Sequence, residues 1–220
     1  MTLSKKKIIF VTATRADFGK LKSLIKILKD RKEFEIFIVV TGMHLSHRYG
    51  YTYLEVKKVF KTKIIKFKNQ SLEDRLETIL SKTSENFSKI VKKINPDLII
   101  IHGDRVESLA CGIVGSLNHI LTGHIEGGEL SGTIDDTIRH AVTKLSHVHF
   151  VGTNNAKKRI KNMGEIGEHI FNIGSPDIDI IVKEKLPNLP TVRKRYDIKF
   201  QDYAIFLWHP VTSRVNNLKY

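Results

Sequence analysis

The amino-acid sequence predicts a doubly wound α/β fold built on one parallel β-sheet. Three observations carry this prediction. Short apolar runs of strand length alternate with longer amphipathic segments of helical periodicity, and the connections between them are short. The run at residues 98–101 is apolar throughout, and the run at residues 120–125 begins and ends with apolar residues. Such runs are typical of parallel strands that helices cover on both faces.

The order of elements follows from the same periodicity. The pattern predicts strands at residues 7–12, 34–41, 63–67 (weaker than the others), 98–101, 120–125, 148–151 and 170–173. It predicts helices at residues 17–29, 72–94, 135–145 and 154–163. Asn95 and Pro96 end the longest of these helices, because proline cannot continue it.

The last part of the chain differs from the rest. Residues 187–190 begin and end with proline and look like a linker, followed by a short charged helix and an apolar strand at residues 203–208. We therefore predict a first domain at residues 1–186 and the linker and first strand of a second domain at residues 187–220. Too few residues follow Trp208 for another α/β domain, so we expect the chain to stop where that domain begins.

Composition excludes several classes of protein. The net charge is +14, but lysines dominate it and no arginine-rich block or nucleic-acid-binding motif is present, so nucleic acid is not an expected partner. The single cysteine, Cys111, excludes a disulfide framework and a cysteine-rich zinc site. No apolar run is long enough to span a membrane. We expect a cytoplasmic protein without a membrane partner.

Ligands of open α/β sheets bind beyond the carboxyl ends of the strands. Arg15 and Lys20 follow the first predicted strand, where a helix N-terminus attracts anions, and no GxGxxG motif for a dinucleotide is present. His44 follows the second strand. Further polar residues follow the fourth and fifth strands: His102, Asp104, Arg105, His124, Glu126, Asp135, Asp136 and Arg139.

Each of these residues also has a structural explanation. Asp135 and Asp136 are favourable charges at a helix N-terminus, and a lone histidine such as His44 is more often structural than a ligand contact. Asp135 and Arg139 are spaced i, i+4 and so share one helix face. Acids, histidines and cations gathered at one sheet edge nevertheless indicate a functional site. Two histidine–carboxylate pairs, His102 with Asp104 and His124 with Glu126, could each bind a transition metal. No third ligand follows either pair at the spacing of zincin metalloproteases, so we predict no required metal.

Five stretches resemble a known family. They are RADFGKL (15–21), HGDR (102–105), HIEGGELSGTIDDTIRH (124–140), IGSPD (173–177) and WHPVT (208–212). They are similar to the hydrolysing UDP-N-acetylglucosamine 2-epimerases, which open sialic-acid and related nonulosonate pathways. The likeness runs over residues 8–213, and the long central motif is its most specific part.

This resemblance implies the N-terminal Rossmann-like half of a glycosyltransferase-B-type fold, with substrate between two halves. It implies conversion of UDP-N-acetylglucosamine and water to N-acetylmannosamine and UDP, without a cofactor. The family's catalytic positions fall on Asp104, Glu126, Asp135 and His209, and its nucleotide-side cations on Arg15, Lys20 and Arg139. Adding the strand-end residues gives the candidate substrate-binding set Arg15, Lys20, His44, Arg105, His124, Asp136 and Arg139.

The residue chemistry suits that reaction. A carboxylate of raised pKa in a dry cleft is a suitable base for the weakly acidic hydrogen at C2 of the sugar. A second carboxylate stabilises positive charge at C1, and cations stabilise the departing diphosphate. We expect elimination to a glycal followed by addition of water, with the three acids acting as a set.

Family members carry a whole second domain, so we expect this chain to be inactive or nearly so by itself. We expect one of two partners. One is a separate chain that supplies the missing domain; the other is a further copy of this chain in a homo-oligomer, as in related enzymes. Two alternatives remain. One is a hydrolysing epimerase of the UDP-linked diacetamido sugar of the legionaminic-acid pathway; the other is a remnant that binds sugar nucleotide weakly without catalysis.

Overall fold

The computed structural model describes residues 4–60, 63–71, 73–183 and 186–206. Within these ranges seven parallel strands form one sheet, in the order β3-β2-β1-β4-β5-β6-β7. The strands are β1 (Lys6–Thr12), β2 (Phe34–Val40), β3 (Ile64–Lys66), β4 (Leu98–His102), β5 (Leu121–Ile125), β6 (Val148–Val151) and β7 (Ile170–Asn172). The strand order reverses between β1 and β4, which confirms the predicted doubly wound α/β fold.

The described residues also form eight α-helices, and those between the strands cover the sheet. They are α1 (Arg15–Lys29), α2 (Tyr53–Val59), α3 (Leu76–Ile94), α4 (Val106–Leu117), α5 (Ile134–Lys144), α6 (Asn154–Asn162), α7 (Pro176–Lys183) and α8 (Leu189–Arg195). The sequence analysis did not predict α2 and α7, because seven- and eight-residue segments show too little periodicity to be recognised.

The helix predicted at residues 72–94 begins later than expected, at Leu76. Before it, the backbone N–H of Ser71 donates to the Asp74 carboxylate at 2.7 Å. This local hydrogen bond competes with helix formation. Even α3, with 19 residues, is amphipathic, and no helix in the described ranges is long and apolar enough to cross a membrane.

The core has two layers, one on each face of the sheet. Ile8 and Phe10 of β1 pack with α1 and α2 in one layer. Ile9 and Val11 point to the opposite layer, where Phe87 of α3 packs with residues of α4 and α5. Successive strand residues point to opposite faces, so a strand covered by helices on both sides is apolar throughout.

The chain divides into two units, Met1–Glu184 and Lys185–Tyr220. In the second unit α8 begins after Asn188, whose side chain accepts a hydrogen bond from the N–H of Thr191 at 3.0 Å. The predicted strand at residues 203–208 is wrong for residues 203–206, which form no strand. Ile205 and Phe206 are more than four-fifths exposed, so no neighbouring strand covers them in the described ranges. The assignment of this unit to a second Rossmann-like domain stays a prediction.

We expect Phe87→Ala to lower the free energy of unfolding by about 3–5 kcal/mol, because the fully buried ring fills the layer beneath α3. Leu117→Ala is the matched control, since Leu117 is 75% exposed, and its effect should stay within about 0.5 kcal/mol. Urea unfolding measures both. Equal effects of the two substitutions would contradict the assigned packing.

Candidate active site

Polar side chains gather where β1, β4 and β5 end. The reversal of strand order separates the connections after β1 and β4 onto opposite faces of the sheet and leaves a crevice between them. Helix α1 starts beside this crevice. Thr14 caps it in a capping box with Asp17, whose carboxylate also accepts the backbone N–H of Ala13 at 2.9 Å. The cap orients α1 so that Lys20 faces the end of β5.

Glu126 directly follows β5 and has a left-handed backbone conformation, with φ of +60°. Its Oε2 accepts hydrogen bonds from Lys20 Nζ at 2.5 Å and from His102 Nε2 at 3.0 Å. Burial raises the pKa of Glu126, but the hydrogen bonds from His102 and Lys20 outweigh it and hold the pKa at about 2. Glu126 is therefore ionised at neutral pH. Glu126 therefore lacks the raised pKa that would suit a general base.

Asp104 lies in the turn after β4 and pairs with Arg139 of α5. Arg139 is 7% exposed, and its guanidinium also donates to Asp136 and to the backbone carbonyl of Glu129, each at 2.8 Å. These bonds hold Arg139 across the ends of β4 and β5. A buried guanidinium with planar donors is well suited to fix a carboxylate in this way.

The two aspartates at the start of α5 have different environments. Partial burial raises the pKa of Asp136, but hydrogen bonds from the Gly132 and Ser131 backbone and the charge of Arg139 hold that pKa at about 2. Asp135 is exposed, and its Oδ2 accepts a hydrogen bond from Thr133 at 2.9 Å. The acidic helix partner of Arg139 is thus Asp136, three residues before it, rather than Asp135.

His44 and His124 are fully buried. Both ring nitrogens of each are engaged: those of His44 with Thr12 and Thr52, at 2.9 and 2.7 Å, and those of His124 with the Gly103 carbonyl and Thr143, at 2.8 and 3.2 Å. Burial lowers the pKa of His124 to about 3 and also lowers that of His44. Both rings hold loops of the site in place, and their contact with a ligand stays a prediction.

Arg15 and Arg105 lie at helix N-termini on this edge. Arg15 is the exposed first residue of α1 and forms no ion pair with the described part of the chain. Arg105 is the residue before α4, and its Nε donates to Glu107 at 3.3 Å. Arg105 borders a cavity of about 580 Å³ that the segments after β2 and β3 also line. A cation at a helix N-terminus suits an anionic ligand, and Arg105 places one beside this cavity.

A family model described as UDP-N-acetylglucosamine 2-epimerase matches residues 26–219 of the chain. The chain belongs to this family. The pairs of carboxylates and cations at the ends of β4 and β5 therefore belong to a member of this family.

Three curated relatives support the assignment. A UDP-N-acetylglucosamine 2-epimerase of Neisseria meningitidis serogroup B is 43% identical over 96% of the chain and 56% of the relative. A GDP/UDP-N,N'-diacetylbacillosamine 2-epimerase (hydrolyzing) of Campylobacter jejuni is 37% identical over 98% and 57%. The polysialic acid biosynthesis protein P7 of Escherichia coli is 32% identical over 94% and 54%. The chain spans about half the length of these relatives.

Two solved structures share the fold. A UDP-GlcNAc 2-epimerase from Neisseria meningitidis bound to UDP-GlcNAc superposes with a TM-score of 0.73, at 19% identity, over 88% of the chain and 53% of that structure. The S. aureus MnaA–UDP co-structure superposes with a TM-score of 0.72, at 25% identity, over 87% and 51%.

This member of the epimerase family also has buried polar residues that the sequence analysis missed. Glu107 is 1% exposed and accepts hydrogen bonds from Arg105 and from Asn69 Nδ2, both at 3.3 Å. Asn69 also accepts the Gly42 N–H at 3.0 Å and donates to Thr83 at 2.9 Å. Glu107 lies within the polar run after the fourth predicted strand, which was a usable signal. Nothing in the local sequence distinguishes Asn69.

Two sequence predictions concern chemistry that the described residues do not test directly. His209, the predicted catalytic histidine, lies outside the described residues. The described residues contain no group of three or more histidines, cysteines or acids that could hold a metal ion.

We expect Lys20→Met to destabilise the fold by about 1–3 kcal/mol near pH 7, because the ionised Glu126 loses a partner in a mostly buried position. The lowered pKa of Glu126 stabilises the folded state above the carboxyl's unfolded pKa, and that contribution is lost as the pH falls toward about 2. The effect of Lys20→Met should therefore shrink at about pH 3. Urea unfolding at both pH values measures it, with exposed Lys32→Met as control. An effect independent of pH would contradict this pairing.

We expect Asn69→Ala to lower the free energy of unfolding by about 2 kcal/mol or more, because it leaves the Gly42 N–H and the Glu107 carboxylate short of partners. Asn86→Ala on the exposed side of α3 is the control, with an expected effect within about 0.5 kcal/mol. Thermal and urea unfolding compare the two. If Asn69→Ala lowers the free energy of unfolding no more than Asn86→Ala does, the hydrogen bonds of Asn69 do not stabilise the fold.

Proposed function

We propose that this chain forms the carboxylate-bearing domain of a hydrolysing UDP-N-acetylglucosamine 2-epimerase, which converts UDP-N-acetylglucosamine and water to N-acetylmannosamine and UDP. One observation carries the proposal. Asp104 and Glu126 follow adjacent parallel strands, and each is held by a cation from a different helix, Arg139 of α5 and Lys20 of α1. Two neighbouring carboxylates at this edge of the sheet can remove a proton from a sugar carbon and return one to it.

The names of the relatives support the reaction type and the substrate class. The Campylobacter relative is named as hydrolysing, the Escherichia relative as a polysialic acid biosynthesis protein, and the Neisseria relative as acting on UDP-N-acetylglucosamine. The name of the Escherichia relative supports a product that feeds sialic-acid-type sugars. The solved relatives that hold UDP-GlcNAc or UDP support a UDP-sugar ligand.

The reaction divides into elimination and addition. A carboxylate removes the proton at C2, the bond between C1 and the diphosphate oxygen breaks, and UDP departs with its electron pair, which leaves a glycal. Water then adds its oxygen to C1, and a proton returns to C2 from the opposite face. Asp104, Glu126 and Asp135 carry these proton transfers as a set, together with His209. The steps require no change in oxidation state overall and no redox cofactor.

The cations divide between two tasks. Lys20 and Arg139 are each occupied by carboxylates, so they hold the acids in place. Arg15 is exposed at the N-terminus of α1, and it meets the diphosphate there with the free N–H groups of the helix. Arg105, whose Nε donates to Glu107, also borders the cavity and supplies a second cation there. Both stabilise the negative charge that develops on departing UDP.

A second candidate substrate is a UDP-linked N,N'-diacetylated sugar. The Campylobacter relative named for diacetylbacillosamine is 37% identical, close to the 43% of the relative named for N-acetylglucosamine. The chemistry at C1 and C2 is the same for both sugars. The two differ at C4 and C6, so the candidates separate by comparing release of UDP from the two substrates.

Relatives are about twice as long as this chain, so by itself it binds the nucleotide weakly and turns it over slowly. We expect millimolar UDP-N-acetylglucosamine to shift backbone NMR signals at residues 14–20, 103–107 and 126–139 of the 220-residue chain. Shifts confined to other regions, or none at about 10 mM, would refute the proposed site.

Turnover is tested by release of UDP and by proton NMR of the sugar in D₂O, where the new hydrogen at C2 comes from solvent. We expect Asp104→Asn to lower any measured turnover at least about 100-fold, because proton transfer contributes that much. Asp30→Asn, an exposed aspartate at the end of α1, is the matched control and should leave turnover unchanged. A product that retains hydrogen at C2 in D₂O would exclude the glycal route.

A further inference from the structure

His102 contacts the Glu126 carboxylate, although the sequence analysis gave it no role in the reaction. It is the last residue of β4, and its partner in the sheet is Ile125, the residue before Glu126. The His102 backbone carbonyl accepts the Ser108 hydroxyl of α4 at 2.7 Å. The Gly103 N–H donates to the Ile125 carbonyl at 2.9 Å. Main-chain hydrogen bonds therefore fix the backbone at both His102 and Glu126, independently of the contact between their side chains.

The direction of the hydrogen bond follows from charge. Glu126 is ionised and can only accept, so His102 Nε2 carries the proton and donates it at 3.0 Å. The ring is 12% exposed, and its Nδ1 has no hydrogen-bond partner in the described ranges. The histidine thus uses one ring nitrogen to hold the carboxylate.

Both donors to Glu126 use the same oxygen. Lys20 Nζ and His102 Nε2 each reach Oε2, whereas Oε1 makes no hydrogen bond within the part of the chain that the structure describes. The side chain is 18% exposed, so it has access to the crevice. Two donors on one oxygen fix the plane of the carboxylate and leave the other oxygen available.

We propose that His102 is a positioning residue that acts together with Lys20 to anchor Oε2 of Glu126, so that Oε1 is the oxygen presented to the substrate. This inference rests on the proposed function, because it assigns the two oxygens of one of its acids. The positive φ of Glu126 turns the side chain out of the strand, and the two donors then select one orientation of its carboxylate. A carboxylate held in this way needs no reorganisation when substrate binds.

Asp177 supports the same arrangement from α7. Its carboxylate lies 3.6 Å from Lys20 Nζ, and it is half exposed. The IGSPD stretch, which had no assigned role, thus supplies a second anion for Lys20. Since Asp177 does not touch Glu126 directly, Asp177→Asn is a matched variant that alters a nearby charge but keeps both donors.

The test uses the 220-residue chain and two substitutions of His102. Glutamine places an amide N–H near the position of Nε2, whereas leucine removes the donor. The readout is the ¹³C chemical shift of the Glu126 carboxyl between about pH 7 and pH 3.5, since a lost hydrogen bond raises the carboxyl pKa by roughly one unit. We expect His102→Gln and Asp177→Asn to keep Glu126 ionised at the low end of this range, and His102→Leu to protonate a substantial fraction of it.

An unchanged titration in His102→Leu would overturn the proposal, and so would a His102→Gln variant as strongly shifted as His102→Leu. Backbone amide spectra report whether each variant folds. If His102→Leu does not fold, His102→Asn takes its place, because its shorter side chain cannot reach Oε2. His119→Gln, at an exposed histidine on the opposite edge of the sheet, controls for loss of an imidazole.

Turnover separates this inference from the proposed function. Where UDP release is measurable, we expect His102→Leu to lower kcat at least about 10-fold with KM little changed, and His102→Gln to recover most of kcat. If His102→Gln lowers kcat as much as His102→Leu does, the imidazole itself transfers protons, and a positioning role is overturned. If UDP-sugar binding fails altogether, the carboxyl titration still decides whether His102 anchors Glu126.

Discussion

Buried or half-buried carboxylates at the end of a parallel sheet need cations, and this requirement organises the structure around the site. Asp104 and Glu126 follow strands that are hydrogen-bonded neighbours, so their negative charges are brought together by the fold itself. An ionised group with little access to water is stable only with compensating partners. Arg139 meets the first carboxylate and Lys20, with His102, the second.

The same pairs link the site to the packing of the helices. Lys20 belongs to α1, on one face of the sheet, and also pairs with Asp177 of α7. Arg139 belongs to α5, whose apolar side packs in the layer on the opposite face. Helices from both layers therefore meet at the carboxyl edge through charged side chains. Loss of one charge alters the stability of the fold as well as the state of the acids.

Sequence patterns predicted the strands, their parallel arrangement and the residues that follow β4 and β5, because apolar runs and strand-end motifs are local signals. They did not separate the histidines by role. His102 and His124 both stand at strand ends, but His124 is enclosed by the Gly103 carbonyl and Thr143, whereas His102 reaches Glu126. Burial depends on neighbours distant in sequence. Asn69 was missed for the same reason, since Gly42, Thr83 and Glu107 come from three separate segments.

The sequence by itself determined the family and the fold class, since the long motif from His124 to His140 and the strand–helix alternation are readable without coordinates. Only the tertiary structure decided which cation pairs with which carboxylate. Lys20 and Glu126 are separated by 106 positions, and Asp104 and Arg139 by 35. Strand order brings these residues together. Helix spacing alone leaves both Asp135 and Asp136 as possible partners of Arg139, and the structure pairs it with Asp136. These partners lower the pKa of Glu126 and of Asp136, because a carboxylate's charge state depends on the donors that surround it in space.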